Sequence, residues 1–248
     1  MMKKSLSWVS FGALFFATAL LLSAVFRFGE QNIRQLVAVD ASPAAPIIIL
    51  DAGHGGEDSG AIGKNGVLEK DLNLSVCQTL AALLRLSGYS VVESRTEDRL
   101  LCGDDVPKGH RKQTDLSGRL ALTEAYPNCV LISIHMNTFP AADCIGTQVW
   151  YSEGNDASRE WAAAIQAKVK ETLQPQNDRR IKAATSGIYL LKKATCPAIL
   201  IECGFLSTAA ECERLCDPVY RTQLAMIFFA AIAQKSPLPS CNATLPMI

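Results

Sequence analysis

The sequence predicts an α/β domain, with a mixed, largely parallel central sheet and helices on both faces, following an N-terminal membrane segment. Three observations predict it. Short runs with the composition of strands alternate with longer stretches of helical periodicity. Several strand runs, such as "CVLISI" and "AILI", are apolar almost throughout rather than alternating, which suits a sheet covered on both sides. Of the 248 residues, 49% are apolar, enough for the core of one large domain or two small ones.

The elements follow in order. Residues 47–50 form a β-branched run read as a buried strand. Residues 70–86 read as a helix, with Leu72, Val76, Leu80, Leu83 and Leu84 on one face and Gly88 as a natural stop. The stretch "YSVVESR" (89–95) is a second strand. Residues 115–125 suit a helix with Leu116, Leu120 and Leu122 inward. Residues 129–135 are a third strand, and 147–152 alternate like a half-buried one. Residues 156–173 carry Trp161, Ile165, Val169 and Leu173 on one helical stripe. "GIYLLKK" (187–193) is expected as a short strand and "AILIECG" (198–204) as another. Thr208 and Glu211 stand at capping-box spacing for the next helix, and 219–233 is an apolar C-terminal helix.

The amino-terminal residues differ from the rest. Lys3 and Lys4 precede an uncharged run from Ser5 to Phe26, long enough to cross a bilayer as a helix. The lysines favour a cytoplasmic N-terminus, with the remainder outside. The rival is a cleaved signal, whose apolar region is normally shorter and ends in small residues; here the run ends in "SAVFRFGEQ". The expected organisation is an anchor or signal segment over 1–27, a linker over 28–45, a catalytic domain over 46–236 and a tail over 237–248. The domain is then extracytoplasmic, anchored or secreted.

The 24 basic and 24 acidic side chains cancel and form no basic block, so charge gives no reason to expect a nucleic-acid partner. The nine cysteines are odd in number, include no CxxC pair and lie mostly in apolar surroundings, where they read as buried thiols.

Three apolar strand runs lead into residues able to bind metal or move protons: His54 after "IIILDAG", His135 after "VLISI" and Glu202 after "AILI". Histidine is scarce, the third being His110 in a polar stretch expected as loop. Sites of covered α/β sheets gather at the C-terminal strand edge. A catalytic zinc takes three protein ligands and leaves a position open. His54 and His135 supply two; Glu69 and Glu202 compete to be the third. Glu69 follows a glycine-rich loop pliable enough to return beside His54. A metal hydrolase also needs a separate carboxylate to take a proton from the attacking water. Asp51 is either a partner that orients a ligand histidine or a turn former. Arg95 and Asn137 stand at the same edge and are candidates for substrate contact.

The blocks "DAGHGG", "EKDLNL", "SIHMN" and "IECGFLS" resemble, in order and spacing, the four signatures of the amidase_3 family of zinc-dependent N-acetylmuramoyl-L-alanine amidases. The resemblance covers roughly residues 46–234 and implies a peptidoglycan substrate and a Zn2+ cofactor. It implies His54, Glu69 and His135 as metal ligands and Glu202 as catalytic acid/base. Ala52 stands where the family often has proline, and Cys203 where it has an apolar residue. Within the family, "RTEDRLL" and "SGIYLLKKATCPAILIECGFLSTAAE" are similar to the germination-specific group of spore formers. That likeness implies a role in spore cortex maturation, with a polysaccharide deacetylase acting downstream to complete muramic-δ-lactam. The alternatives are a vegetative wall autolysin of the same chemistry, a zinc carboxypeptidase, and a non-catalytic peptidoglycan-binding module. In the carboxypeptidase the first two ligands sit three residues apart, whereas His54 and Glu69 are fifteen apart.

Overall fold

The computed structural model describes residues 45–103, 105–140, 144–184 and 187–236. The expected membrane segment, the tail and nearly all of the linker lie outside the described residues. Among those described, no helix is long and apolar enough to cross a membrane.

Strands β1 (Ile47–Ala52), β2 (Val91–Glu93), β3 (Cys129–Asn137), β4 (Gln148–Tyr151), β5 (Lys182–Ala183) and β6 (Ala198–Phe205) form one sheet in the order β2-β1-β3-β6-β4-β5. Strands β2, β1, β3 and β6 run parallel; β4 is antiparallel to β6 and parallel to β5. The helices are α1 (Glu69–Leu86), α2 (Lys108–Ala125), α3 (Asp156–Thr172), α4 (Tyr189–Lys193), α5 (Ala209–Cys216) and α6 (Pro218–Lys235). They cover both faces, as the apolar strand runs require.

The period-two alternation of the strands divides the core. Ile48 and Leu50 of β1, Ile132 and Ile134 of β3, and Ile199 and Ile201 of β6 face a large apolar cluster with α1, α3, α5 and α6. Ile49, Leu131, Ala198 and Leu200 face a smaller one with α2 and α4. On this second face the sequence turns polar toward the C-terminal edge. Asp51, Ser133, His135 and Glu202 continue the same alternation, and they are what the smaller cluster gives way to.

Three expectations are corrected. The segment "GIYLLKK" is helical from Tyr189, not a strand. Its buried Leu190 and Leu191 plug the smaller core, and a short apolar run does not by its periodicity separate strand from buried helix. The neighbour of β4 at the sheet edge is instead Lys182–Ala183. Helix α2 begins at Lys108, so exposed His110 lies in its first turn rather than in a loop. Finally, α5 starts after Thr208 without a capping box. The Thr208 hydroxyl donates to the Cys144 carbonyl, and the buried Glu211 carboxylate accepts from the Gly146 and Phe205 amides. Glu211 thus joins the β3–β4 connection to the end of β6. The eight described cysteines are unbonded thiols, five of them buried, and Cys203 faces the larger core, on the opposite side of β6 from Glu202.

Candidate metal centre and active site

His54 follows β1 by two residues, with its backbone in the left-handed region at φ 62°. That conformation is strained for a non-glycine residue and persists only when its surroundings hold it. They do so from both ends. The Arg119 guanidinium donates to the His54 carbonyl at 2.7 Å, and the Asp58 carboxylate lies 3.0 Å from Nδ1. The loop after His54 folds back through bridges between Gly55 and Asp58 and between Ile62 and Leu68. Its return is clamped to the start of α1: the Glu69 amide donates to the Ala61 carbonyl at 2.9 Å, and the Ala61 amide to Glu69 Oε2 at 2.8 Å.

Glu69 is buried at the meeting point of both histidines. Its Oε1 lies 3.0 Å from His135 Nδ1 and accepts from the Met136 amide at 3.0 Å. Its Oε2 lies 3.3 Å from His54 Nε2. The imidazole centroids are 5.0 Å apart and nearly perpendicular. One ligand atom from each of His54, Glu69 and His135 lies within 4.8 Å of the others, so the set can close on one cation. Burial works against the charged forms here, but the mutual hydrogen bonds win. Glu69 is held well below the usual carboxylate range by both histidines, and His54 rises to about 9 beside Glu69 and Asp58.

Glu202 is the register partner of His135 across β3 and β6. Its Oε2 is buried with no hydrogen-bond partner. Burial pushes its carboxyl up to about 7, with Glu69 adding to the rise and His135 and His54 opposing it. An unpartnered buried carboxyl oxygen is costly, and its position beside two imidazoles and a carboxylate is the arrangement of an acid kept available for proton transfer. The donor set fits a divalent metal of the zinc kind: two nitrogens and one oxygen, with a free acid adjacent.

Gly53 makes room for this geometry. A Cβ on it would lie 2.2 Å from His135 Cε1. Gly53→Ala is therefore expected to displace the His135 ring and weaken metal affinity by about tenfold or more, the scale seen when ligand orientation is lost. Chelator competition on the purified variant measures it.

Beneath the loop lies a buried charged floor. Asp51 accepts from Arg119 and, at 2.6 Å, from the Ser133 hydroxyl. Arg119 also pairs with Asp115 at 2.7 Å. Burial alone would raise the Asp51 carboxyl, but Arg119 and Ser133 bring it down from 3.8 to about 2. A depressed carboxylate stabilises the fold above its unfolded pKa, and that contribution is lost as pH falls through the folded one. Between about pH 4 and pH 2, then, about 2 kcal/mol of stability is expected to disappear at this site. Denaturant midpoints across that range, compared with Asp51→Asn, check it.

Arg95 does not meet solvent as expected. It is 1% exposed, and its guanidinium donates to the carbonyls of Ala52, Gly53 and Lys70. Its length lets it reach under the loop, which strand position alone did not reveal. Asp51 contacts neither histidine through a hydrogen bond; its partners are Arg119, Ser133 and the Ser94 environment. Asn137 ends β3 at a half-buried position two residues beyond His135. Sequence reasoning missed Asp58, Asp115 and Arg119. The last two had a signal: an Asp–Arg pair at helical spacing of four, on the face that also carries Leu116 and Thr123.

A cavity of about 70 Å³ opens on the histidines, lined also by Asp58, Lys112, Leu116 and Leu190. A larger one of about 390 Å³ lies beyond Gly56, between Glu57, Asp98, Arg99 and Arg111. It contains none of the three convergent residues, and its Arg111 and Glu57 pair with each other at 3.1 Å. The chemistry therefore belongs to the smaller cavity.

A covered α/β sheet whose C-terminal edge gathers two imidazoles, a carboxylate and a separate protonatable acid defines a hydrolytic enzyme with a candidate metal centre. The chain belongs to the N-acetylmuramoyl-L-alanine amidase family Amidase_3, whose model matches residues 48–234. It is 33% identical over 233 residues to the germination-specific N-acetylmuramoyl-L-alanine amidase of Bacillus subtilis, covering 93% of this chain and 95% of that one. The structure of the CwlD amidase from Clostridioides difficile in complex with the GerS lipoprotein is similar at TM-score 0.74 and 34% identity, over 77% of this chain and 98% of that one. An N-acetylmuramoyl-L-alanine amidase from Clostridium difficile 630 matches at TM-score 0.66 and 30% identity, over 77% and 96%. The fold and the enzyme class are thus those of the cell-wall amidases.

Proposed function

We propose that this chain is a zinc-dependent amidase that cleaves the bond between N-acetylmuramic acid and L-alanine in peptidoglycan, on the extracytoplasmic side. In this reading it matures spore cortex. His54, Glu69 and His135 hold the metal, and Glu202 is the acid/base. The observation that carries the reading is the convergence of three ligand atoms within 4.8 Å, with the unpartnered Glu202 oxygen beside them.

Zinc bound there would polarise the lactyl carbonyl and make water acidic enough to attack at neutral pH. The residues do the rest. Glu202, with its carboxyl near 7, takes the proton from the attacking water and returns it to the departing L-alanine nitrogen. Asp58 holds the His54 ring from Nδ1, fixing its orientation and leaving Nε2 to face the metal. Asn137, at the rim, is positioned to meet the glycan or peptide. The products are a lactyl carboxylate on muramic acid and a free stem peptide. That carboxylate, with the amine a deacetylase exposes, supplies the two groups from which muramic-δ-lactam forms. The reading keeps residues 46–236 as the catalytic domain and residues 1–27 as its anchor or signal.

Mass spectrometry of peptidoglycan incubated with the purified protein tests it. New L-alanine amino termini are expected, abolished by chelation and restored by zinc. Released D-alanine would mark a carboxypeptidase, and binding without release a scaffold; turnover that survives exhaustive chelation would remove the metal from the reading.

A further inference from the structure

Two arginines are among the largest fully buried side chains of the molecule, and both lie under the loop that carries His54. Arg119 comes from α2. Its three nitrogens reach four acceptors: Nε to Asp115 at 2.7 Å, Nη1 to Asp51 and to the Ala52 carbonyl at 2.8 Å, and Nη2 to the His54 carbonyl at 2.7 Å. With Asp51 and Ala52 both on Nη1, the fork is held by two carboxylates and two backbone oxygens.

What these contacts connect matters more than their number. Asp51 sits on β1, and its other oxygen accepts from Ser133 on β3 at 2.6 Å. Ser133 is two residues before His135, on the same face of the strand. The chain Ser133–Asp51–Arg119–His54 carbonyl therefore links the strand bearing one imidazole to the backbone of the other. At its far end stands the left-handed backbone of His54, a conformation that needs external support. Arg95 shares the Ala52 carbonyl and takes that of Gly53, so the turn between β1 and His54 is held by two cationic forks.

We infer that Arg119 is a positioning residue: through the His54 carbonyl and Asp51 it sets the placement of the His54 ring relative to His135, and with it metal affinity and ligand geometry. This rests on the metal site proposed above. Lysine cannot substitute, because a single ammonium has neither the plane nor the span to reach a backbone carbonyl and two carboxylates at once. A purely structural role would instead lower stability and leave the geometry of the assembled site untouched.

The test compares Arg119→Lys with Ile165→Val, a core change on α3 in the larger cluster, far from this network in the fold. For the full-length protein, zinc affinity is measured by chelator competition, and the ligand field by the visible spectrum of the cobalt(II) form. Thermal midpoints of the metal-free proteins are recorded alongside. Arg119→Lys is expected to weaken zinc by about 10- to 100-fold and to alter the cobalt spectrum. Ile165→Val is expected to keep both at wild-type values whatever its midpoint. Ser133→Ala, which leaves every charge in place, is the milder companion should the lysine variant fail to fold, and is expected to shift both readouts in the same direction. Wild-type affinity and spectrum in Arg119→Lys, or in Ser133→Ala where only that variant folds, overturn the inference alone. A wild-type protein that takes up no divalent metal overturns the metal site and the inference together.

Discussion

Glu202→Gln is expected to lower turnover on peptidoglycan by on the order of 10²- to 10⁴-fold, the usual contribution of a positioned acid/base, while fold and zinc content stay as in the wild type. The size follows from the environment. Burial pushes the Glu202 carboxyl up to about 7, well above an exposed glutamate. Glutamine has the same shape and no proton to exchange. Nothing in the described structure makes Glu202 necessary for assembly: its Oε2 has no partner to lose. Stem-peptide release and metal analysis on the same preparation measure the two halves of the expectation. Near-normal turnover in the variant would assign the proton transfer to another group.

Glu69→Ala should remove both metal and activity. Its carboxylate is where the two histidines, the Met136 amide and the Ala61 amide all meet. Removing it takes away a ligand and unfastens the loop that returns from His54. A metal that stabilises developing charge contributes several kcal/mol to the transition state, which corresponds to a fall on the order of 10³-fold or more in kcat/KM. Zinc stoichiometry after dialysis distinguishes this variant from Glu202→Gln, which keeps its metal. Retention of a full equivalent of zinc in Glu69→Ala would mean that another carboxylate completes the set.

The two variants separate the glutamates that sequence order alone left in competition. By residue type either could be the third ligand. In the structure Glu69 contacts both histidines, whereas Glu202 contacts neither through a hydrogen bond and keeps a buried oxygen without one. This assignment depends on a loop closing through Ile62 and Leu68, and hydrophobic pattern carries no information about where a glycine-rich loop returns.

Elsewhere, local pattern was sufficient where it reported burial. The apolar runs of β1, β3 and β6 and the leucine stripe of α1 are in the core because their periodicity leaves few other places for them. It failed where the decisive partner was distant. "YLLKK" became a helix because Leu190 and Leu191 fill the smaller core. Glu211 left its expected cap because the Gly146 amide, remote in sequence, needed an acceptor. Arg95 looked like a rim residue and is buried, because the carbonyls of Ala52, Gly53 and Lys70 lie within its reach.

Sequence by itself determined the α/β class and the covered sheet, and it singled out two histidines and two glutamates as candidates. Each of these is written into periodicity or residue type within a few positions. Only the tertiary structure decided which glutamate joins the histidines, which acid stays free, and that Arg119 and Asp51 lie beneath them. Those are distances between side chains brought together by loop closure and strand pairing, and no local stretch of the chain encodes a distance to a partner it does not contain.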